Sequence, residues 1–174
     1  RWVKRDNRTN YNTESLKEDI NMNLDRYPTT GFIPITEPPA RRQATAAAVT
    51  IVKGDALHWS AGTLTNAVVA FAATFAGIAA AACASGGTVE YYPVDAKTQY
   101  KVKNATNTVL VAATHIGTNC DLSACGTVAV NDDPTEGVAF VIDDIDITAD
   151  AIVAATYGYA IGHFRIIGTQ AGNS

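Results

Sequence analysis

Turn signals recur along residues 46–174 at a spacing of roughly eight to twelve residues, and short apolar runs lie between them. These runs are rich in Ala, Val, Ile and Thr, which suit closely packed pleated sheets better than helix bundles. Strands are predicted at 48–52, 56–59, 75–79, 88–93, 99–103, 108–113, 126–130, 137–142 and 158–167. The pattern therefore predicts an all-β body, either a small barrel or a sandwich.

One stretch of this body, residues 67–84, fits two periodicities. Apolar side chains at 68, 71, 75 and 78 have helical spacing, whereas those at 69, 71, 73 and 75 alternate as in a strand. Gly77 favours a strand for the second half, and the first half stays open. A further short helix is expected at 149–155, after the candidate N-cap Thr148.

The sequence changes character near residue 45. Residues 1–45 are polar and charged and contain four of the six prolines. A capping box at Ser15–Glu18 and helical spacing of apolar residues predict a short helix over about 15–26. The Pro-rich stretch 27–40 is incompatible with helix or central strand, so an extended path is expected. We predict an extended N-terminal arm, 1–45, and a β-rich body, 46–174.

Several apolar side chains in this arm have no evident local partner. A short helix with one thin apolar stripe is marginal alone, and an extended segment with apolar anchors is typical of chains that bind across another surface. The predicted interface anchors are Leu16, Ile20, Leu24, Phe32, Ile33 and Ile35. The alternative is that the arm packs on its own domain. If the arm serves association alone, a chain lacking 1–45 should still fold.

The charge pattern limits the partners that the chain is expected to bind. The formal net charge is -4, so a strongly basic nucleic-acid surface is not expected. Residues 1–42 hold eight Lys/Arg against six Asp/Glu, and the rest of the chain is acidic. The uncharged run 67–84 is dominated by Ala without flanking aromatic or basic residues, so a membrane span is not expected either.

No motif for nucleophilic, phosphate-binding or zinc-protease chemistry is present in the sequence, so we assign no catalytic residue and expect no cofactor. Asp144 and Asp146 lie two residues apart on a predicted strand and are a candidate Ca²⁺ site. The alternative is a solvated acidic face that discourages edge-to-edge aggregation. Cys120 and Cys125 bracket a short loop and are a candidate disulfide pair, or two free thiols.

Three glycine-containing segments together resemble a known family. They are Lys53-Gly54-Asp55-Ala56-Leu57, Phe75-Ala76-Gly77-Ile78-Ala79 and Ser85-Gly86-Gly87-Thr88-Val89. This cadence resembles that of the head decoration, or cement, proteins of tailed bacteriophages. The resemblance covers roughly residues 48–94 and continues loosely through 117–122.

The resemblance implies a virion structural protein on the outer capsid surface. Such a protein would bind the major capsid protein or neighbouring copies of itself, with a trimer as the favoured oligomer, and would have no catalytic residues, nucleic-acid contact or membrane contact. Two other hypotheses remain at this point. One is a different structural polymer, such as a tail-tube, shell or extracellular filament subunit. The other is a small β-barrel hydrolase that depends on a metal.

Overall fold

A computed structural model describes residues 31–67, 74–105, 111–129, 137–148, 151–152 and 156–167, and it confirms the predicted all-β fold. The strands are β1 (Ile33–Pro34), β2 (Arg42–Thr45), β3 (Ala56–Ser60), β4 (Thr63–Asn66), β5 (Phe75–Ala79), β6 (Thr88–Pro93), β7 (Gln99–Asn104), β8 (Asn119–Ala124), β9 (Thr127–Ala129), β10 (Gly137–Asp146) and β11 (Tyr159–Ile167). A 3₁₀ turn lies at Ala113–His115.

Five of these strands close into a barrel in the order β7-β11-β10-β8-β9. The barrel closes where β9 returns to β7 in parallel, with Lys103 opposite Thr127 and Asn104 opposite Val128. Strand β11 occupies the other edge of β7, so β1 and β9 share the remaining edge. A barrel with a small β1 addition thus forms one part of the body, which confirms the predicted barrel.

The second sheet is antiparallel and has the order β2-β6-β5-β3-β4. Its two edge strands approach each other, because Ala46 forms a parallel bridge with Leu64 and the Ala47 N–H donates to the Leu64 carbonyl oxygen at 2.7 Å. This contact curls the sheet around its own apolar cluster, which includes Ile51, Leu57 and Val89. The second sheet therefore has a core separate from that of the barrel.

Strand β5 lies at the centre of the second sheet, and all five of its residues are buried. Phe75 and Ile78 pack in the barrel core, whereas Ala76 and Ala79 pack in the core of the second sheet. Burial on both faces explains why its sequence is apolar throughout and fits two periodicities. The strand prediction for the second half of 67–84 is confirmed, while residues 68–73 lie outside the described part of the chain.

The β3–β4 hairpin turns through Ala61 and Gly62, which both have positive φ values, 46° and 82°. Two consecutive residues of this kind form a type I′ turn, for which Asn-Gly is the preferred pair. An alanine in the left-handed region is strained because its Cβ crowds the backbone. We expect Ala61→Asn to raise the free energy of unfolding by about 0.5–1 kcal/mol. Chemical denaturation measures this; an unchanged or lowered midpoint contradicts it.

Some predicted elements differ in the structure. Residues 48–52 do not form a strand; Ile51 makes only an isolated bridge to Cys83. Of the predicted helix at 149–155, the structure describes Ala151 and Ile152 as helical. Strands β1, β2, β4 and β8 were not predicted. The predicted helix over 15–26 lies outside the described residues.

Candidate interaction surface

The predicted boundary near residue 45 is wrong, because residues 31–45 belong to the body. Strand β1 pairs with the barrel strand β7, and β2 pairs with β6 along its whole length. The Gly31 N–H donates to the Gly126 carbonyl oxygen at 2.9 Å, and the Phe32 N–H donates to that of Gly54 at 2.8 Å. Backbone groups in this stretch are thus satisfied within the chain, and the folded body begins at or before Gly31.

Phe32 is the clearest correction among the predicted anchors. Its side chain is 1% exposed and lies in the barrel core. The ring contacts those of Tyr100, Phe140 and Phe164, with centroids 6.3, 5.6 and 5.4 Å away. Because the ring is enclosed by its own chain, Phe32 cannot anchor another subunit. It packs in the barrel core instead.

The other predicted anchors divide into two groups. Ile33 is half-buried in β1, opposite Lys101, whereas Ile35 is 46% exposed just beyond the strand. Ile35 therefore stays a predicted interface residue. Ile33 also stays a predicted interface residue, although part of its side chain is buried within the chain. Leu16, Ile20 and Leu24 lie outside the described residues.

A shallow groove lies where β1 passes the second sheet. It has a volume of about 250 Å³ and is lined by Ile33, Pro34, Ile35, Lys53 and Tyr92. We call this the inter-sheet groove. Val52, which precedes Lys53, is 50% exposed, so apolar surface extends beyond the groove itself. Sequence reasoning found its β1 side but missed Lys53 and Tyr92, because only the fold brings these two residues to β1.

One wall of the inter-sheet groove is fixed by polar contacts. The Arg41 guanidinium lies over the Tyr92 ring, 5.6 Å from its centroid, and forms an ion pair with Glu90 at 3.2 Å. Gln43 also donates to Glu90, at 3.0 Å. These contacts orient Tyr92 at the groove without using Lys53. Among the described residues, no carboxylate lies within ion-pair distance of the Lys53 ammonium.

The candidate Ca²⁺ pair is not assembled. Asp146 accepts a hydrogen bond from the Lys101 ammonium at 2.6 Å, and the Thr148 hydroxyl donates to it at 2.8 Å. Asp144 is exposed and accepts from the N–H of Ile145. The described residues include no cluster of three or more His, Cys, Asp or Glu side chains suited to a metal ion. Asp146 thus serves a buried ion pair, since the Lys101 and Asp146 side chains are only 7% and 13% exposed.

This ion pair predicts a pH-dependent stability. Burial alone would raise the pKa of Asp146, but the hydrogen bonds from Lys101 and Thr148 outweigh it, so the pKa lies below its ordinary value. A lowered folded-state pKa contributes stability above the unfolded pKa of about 3.9, and that stability is lost as pH falls through the folded pKa. We therefore expect Asp146→Asn to cost about 2 kcal/mol at pH 7 and progressively less below about pH 4.

Denaturation of this variant at several pH values measures the effect. Asp144→Asn is the matched control, because it removes the same charge from an exposed position on the same strand. Equal losses for the two variants at pH 7 would contradict the assignment of the buried pair to Asp146.

A second polar cluster lies on the barrel exterior. The Asp143 carboxylate is 2.9 Å from His163 Nδ1 and accepts from the Gln99 amide at 3.0 Å. A carboxylate beside an imidazole resembles the orienting half of a catalytic triad. The third group of this cluster, however, is the Gln99 side-chain amide, which is not a nucleophile. The geometry accounts for these groups as links between the neighbouring strands β7, β10 and β11.

Of the two alternatives for Cys120 and Cys125, the structure has the free thiols, and Cys83 is free as well. Cys120 is fully buried and its thiol donates to the Phe140 carbonyl oxygen at 3.3 Å. Cys125 lies 3.5 Å from the Asp55 carboxylate. Burial raises the pKa of the Cys125 thiol, and the neighbouring Asp55 charge raises it further. The two thiols thus face different partners, and Cys125 is kept in its less reactive protonated form.

Comparisons of the chain with protein-family models and with curated proteins give no match. In the part of the chain that the structure describes, no helix has the length and apolarity needed to cross a membrane.

Proposed function

We propose that the protein is a structural subunit of a virion that decorates the outside of a capsid and cements its lattice. It would contact the major capsid protein or neighbouring copies of itself, as a homo-oligomer with a trimer favoured. The role is mechanical and non-catalytic. A protein that binds the assembled lattice, but not its dissociated parts, stabilises the lattice by mass action.

The observation that carries this proposal is the exposed apolar surface beside the inter-sheet groove. Ile35 and Val52 are 46% and 50% exposed, and both adjoin the inter-sheet groove. Exposed apolar groups gathered beside a groove are typical of surfaces that bind another protein. Thirty residues that contain three further predicted anchors precede Gly31, two residues before β1. Binding surface and arm would thus act in the same region.

The segments that resemble decoration proteins add support, because their glycines occupy special backbone positions. Gly54, Gly77 and Gly86 all have positive φ values, 91°, 145° and 72°. Such positions favour glycine for conformational reasons, so the cadence reflects constraints on the fold rather than composition alone.

Immunogold electron microscopy of virions from the native source tests the proposal. Antibody raised against the purified protein should label the outer surface of heads. Heads stripped of the protein should rupture at a lower temperature, and purified protein should restore their stability. Heads that remain unlabelled while tails or no particles are labelled would overturn the decoration role. Stripped heads that rupture at the original temperature would overturn the cementing role.

A further inference from the structure

The inter-sheet groove has the size of a receptor for a few side chains rather than for a metabolite. Its volume of about 250 Å³ lies below the range of about 300–1,000 Å³ that is typical of ligand pockets. Ile33, Pro34 and Ile35 give it apolar surface, and Tyr92 and Lys53 complete the lining. Since Ile35 is 46% exposed, a partner that covers it removes apolar surface from water.

The backbone of β1 offers no N–H group to an added strand. The Phe32 N–H donates to the Gly54 carbonyl oxygen, and the Ile35 N–H donates to that of Gln99, both at 2.8 Å. Ile33 lies two residues before Ile35, so its N–H also faces β7. Pro34 has no N–H. A partner therefore binds this edge through side chains rather than by extending the sheet.

Lys53 determines the charge of the inter-sheet groove. It is the only charged residue among the five that line the groove, and no described carboxylate lies within ion-pair distance of its ammonium group. Arg41, which lies over the Tyr92 ring, is paired with Glu90 instead. Residues 43–174 hold five Lys/Arg against eleven Asp/Glu, so this unpaired cation is an exception on an acidic body. An acidic side chain is the group that complements it.

We propose that the inter-sheet groove binds a short acidic segment of the major capsid protein, in which aliphatic side chains flank one carboxylate. The aliphatic side chains cover Ile33, Pro34 and Ile35, and the carboxylate pairs with Lys53. A basic segment would leave Lys53 without a partner as the groove loses water, which costs free energy. A nucleic acid is a poor match, because its phosphate backbone requires several cations. This inference rests on the proposed capsid role and names the chemistry of the partner.

Co-sedimentation of the full-length protein with heads stripped of it tests the proposal. Lys53→Glu should weaken binding about tenfold at low ionic strength, because it turns an attraction into a repulsion. The difference should shrink at high ionic strength, since salt screens exposed charges. Lys97→Glu is the matched control and should bind as the wild type does, because Lys97 is exposed and does not line the groove. Unfolding midpoints verify that each variant is folded.

Ile35→Ser tests the apolar part of the contact in the same assay. It should weaken binding about tenfold at every ionic strength, whereas Ile116→Ser should not, because Ile116 is 45% exposed but lies outside the groove. A Lys53→Glu variant that binds as tightly as the wild type, or more tightly, overturns the acidic partner whatever Ile35→Ser does. Wild-type protein that does not bind stripped heads contradicts the capsid role itself, so the two failures are distinguishable.

Discussion

Phe32→Ala is expected to lower the free energy of unfolding by about 3–5 kcal/mol, the range for removing a buried aromatic ring. The ring is 1% exposed and is surrounded by the rings of Tyr100, Phe140 and Phe164, so its removal leaves a cavity between β1 and the barrel. Since small domains are stable by about 5–15 kcal/mol, this loss is a large fraction of the total. Equilibrium denaturation followed by circular dichroism measures it.

Ile35→Ala is the matched control for Phe32→Ala. The two residues lie three positions apart, but Ile35 is 46% exposed. We expect its truncation to change the free energy of unfolding by less than about 0.5 kcal/mol. If both variants were as stable as the wild type, Phe32 would not be part of the core, and its role as an intermolecular anchor would have to be reconsidered.

Gly77→Ala is expected to destabilise the protein by about 4 kcal/mol, the sum of backbone strain and a steric displacement. Gly77 has a φ of 145°, and a Cβ at this position would lie 1.9 Å from the Tyr92 carbonyl oxygen. That oxygen belongs to the backbone of the neighbouring strand β6, so it cannot turn aside as a side chain would. The sheet must open locally to accept the methyl group. Thermal unfolding of the purified variant measures the loss.

Gly86→Ala separates the two contributions to this loss. Gly86 also has a positive φ, 72°, but a Cβ there would meet no atom within 4 Å. Its substitution should therefore cost only the backbone strain, about 1 kcal/mol. A Gly77→Ala variant no less stable than Gly86→Ala would show that β5 and β6 are not as closely apposed as the structure has them.

The sequence predicted best those strands whose apolar residues have clear boundaries. Strands β5 and β6 have the predicted limits, and β6 is clearly bounded because it follows Gly87 and ends at Pro93. Strand β8 was missed although Cys120 and Leu122 alternate with Asp121 and Ser123. This alternation predicts a strand, whereas the pair of cysteines alone is equally compatible with a disulfide loop. Its buried positions are 0% and 2% exposed.

Residues 31–45 were misassigned for a physical reason that the sequence does not reveal. Proline density correctly excludes a central strand, and β1 is indeed a two-residue edge strand. Proline does not, however, exclude packing of the side chains between prolines. An apolar side chain such as Phe32 is expected both in the core of its own domain and at an interface with another chain. Only the three-dimensional fold shows that it lies in the barrel core. The same limit applies to Lys53 and Tyr92, which the fold brings to β1.

The candidate site was predicted only in part. Ile33 and Ile35 do line the inter-sheet groove, as side chains beside a Pro-rich edge strand. Asp146 was correctly placed on a strand, but its partner Lys101 lies 45 residues away on β7. An ion pair between strands that are distant in sequence depends on topology and register, which short-range patterns do not contain.

Two truncations test most directly whether the folded body begins near Gly31 rather than at residue 46. A chain that begins at Gly31 should unfold cooperatively at nearly the midpoint of the full-length protein, because it keeps β1, β2 and Phe32. A chain that begins at Ala46 should fail to fold, since it loses both strands and the ring that fills the barrel. If the chain beginning at Ala46 folds with full-length stability, residues 31–45 are a dispensable arm and the account is wrong.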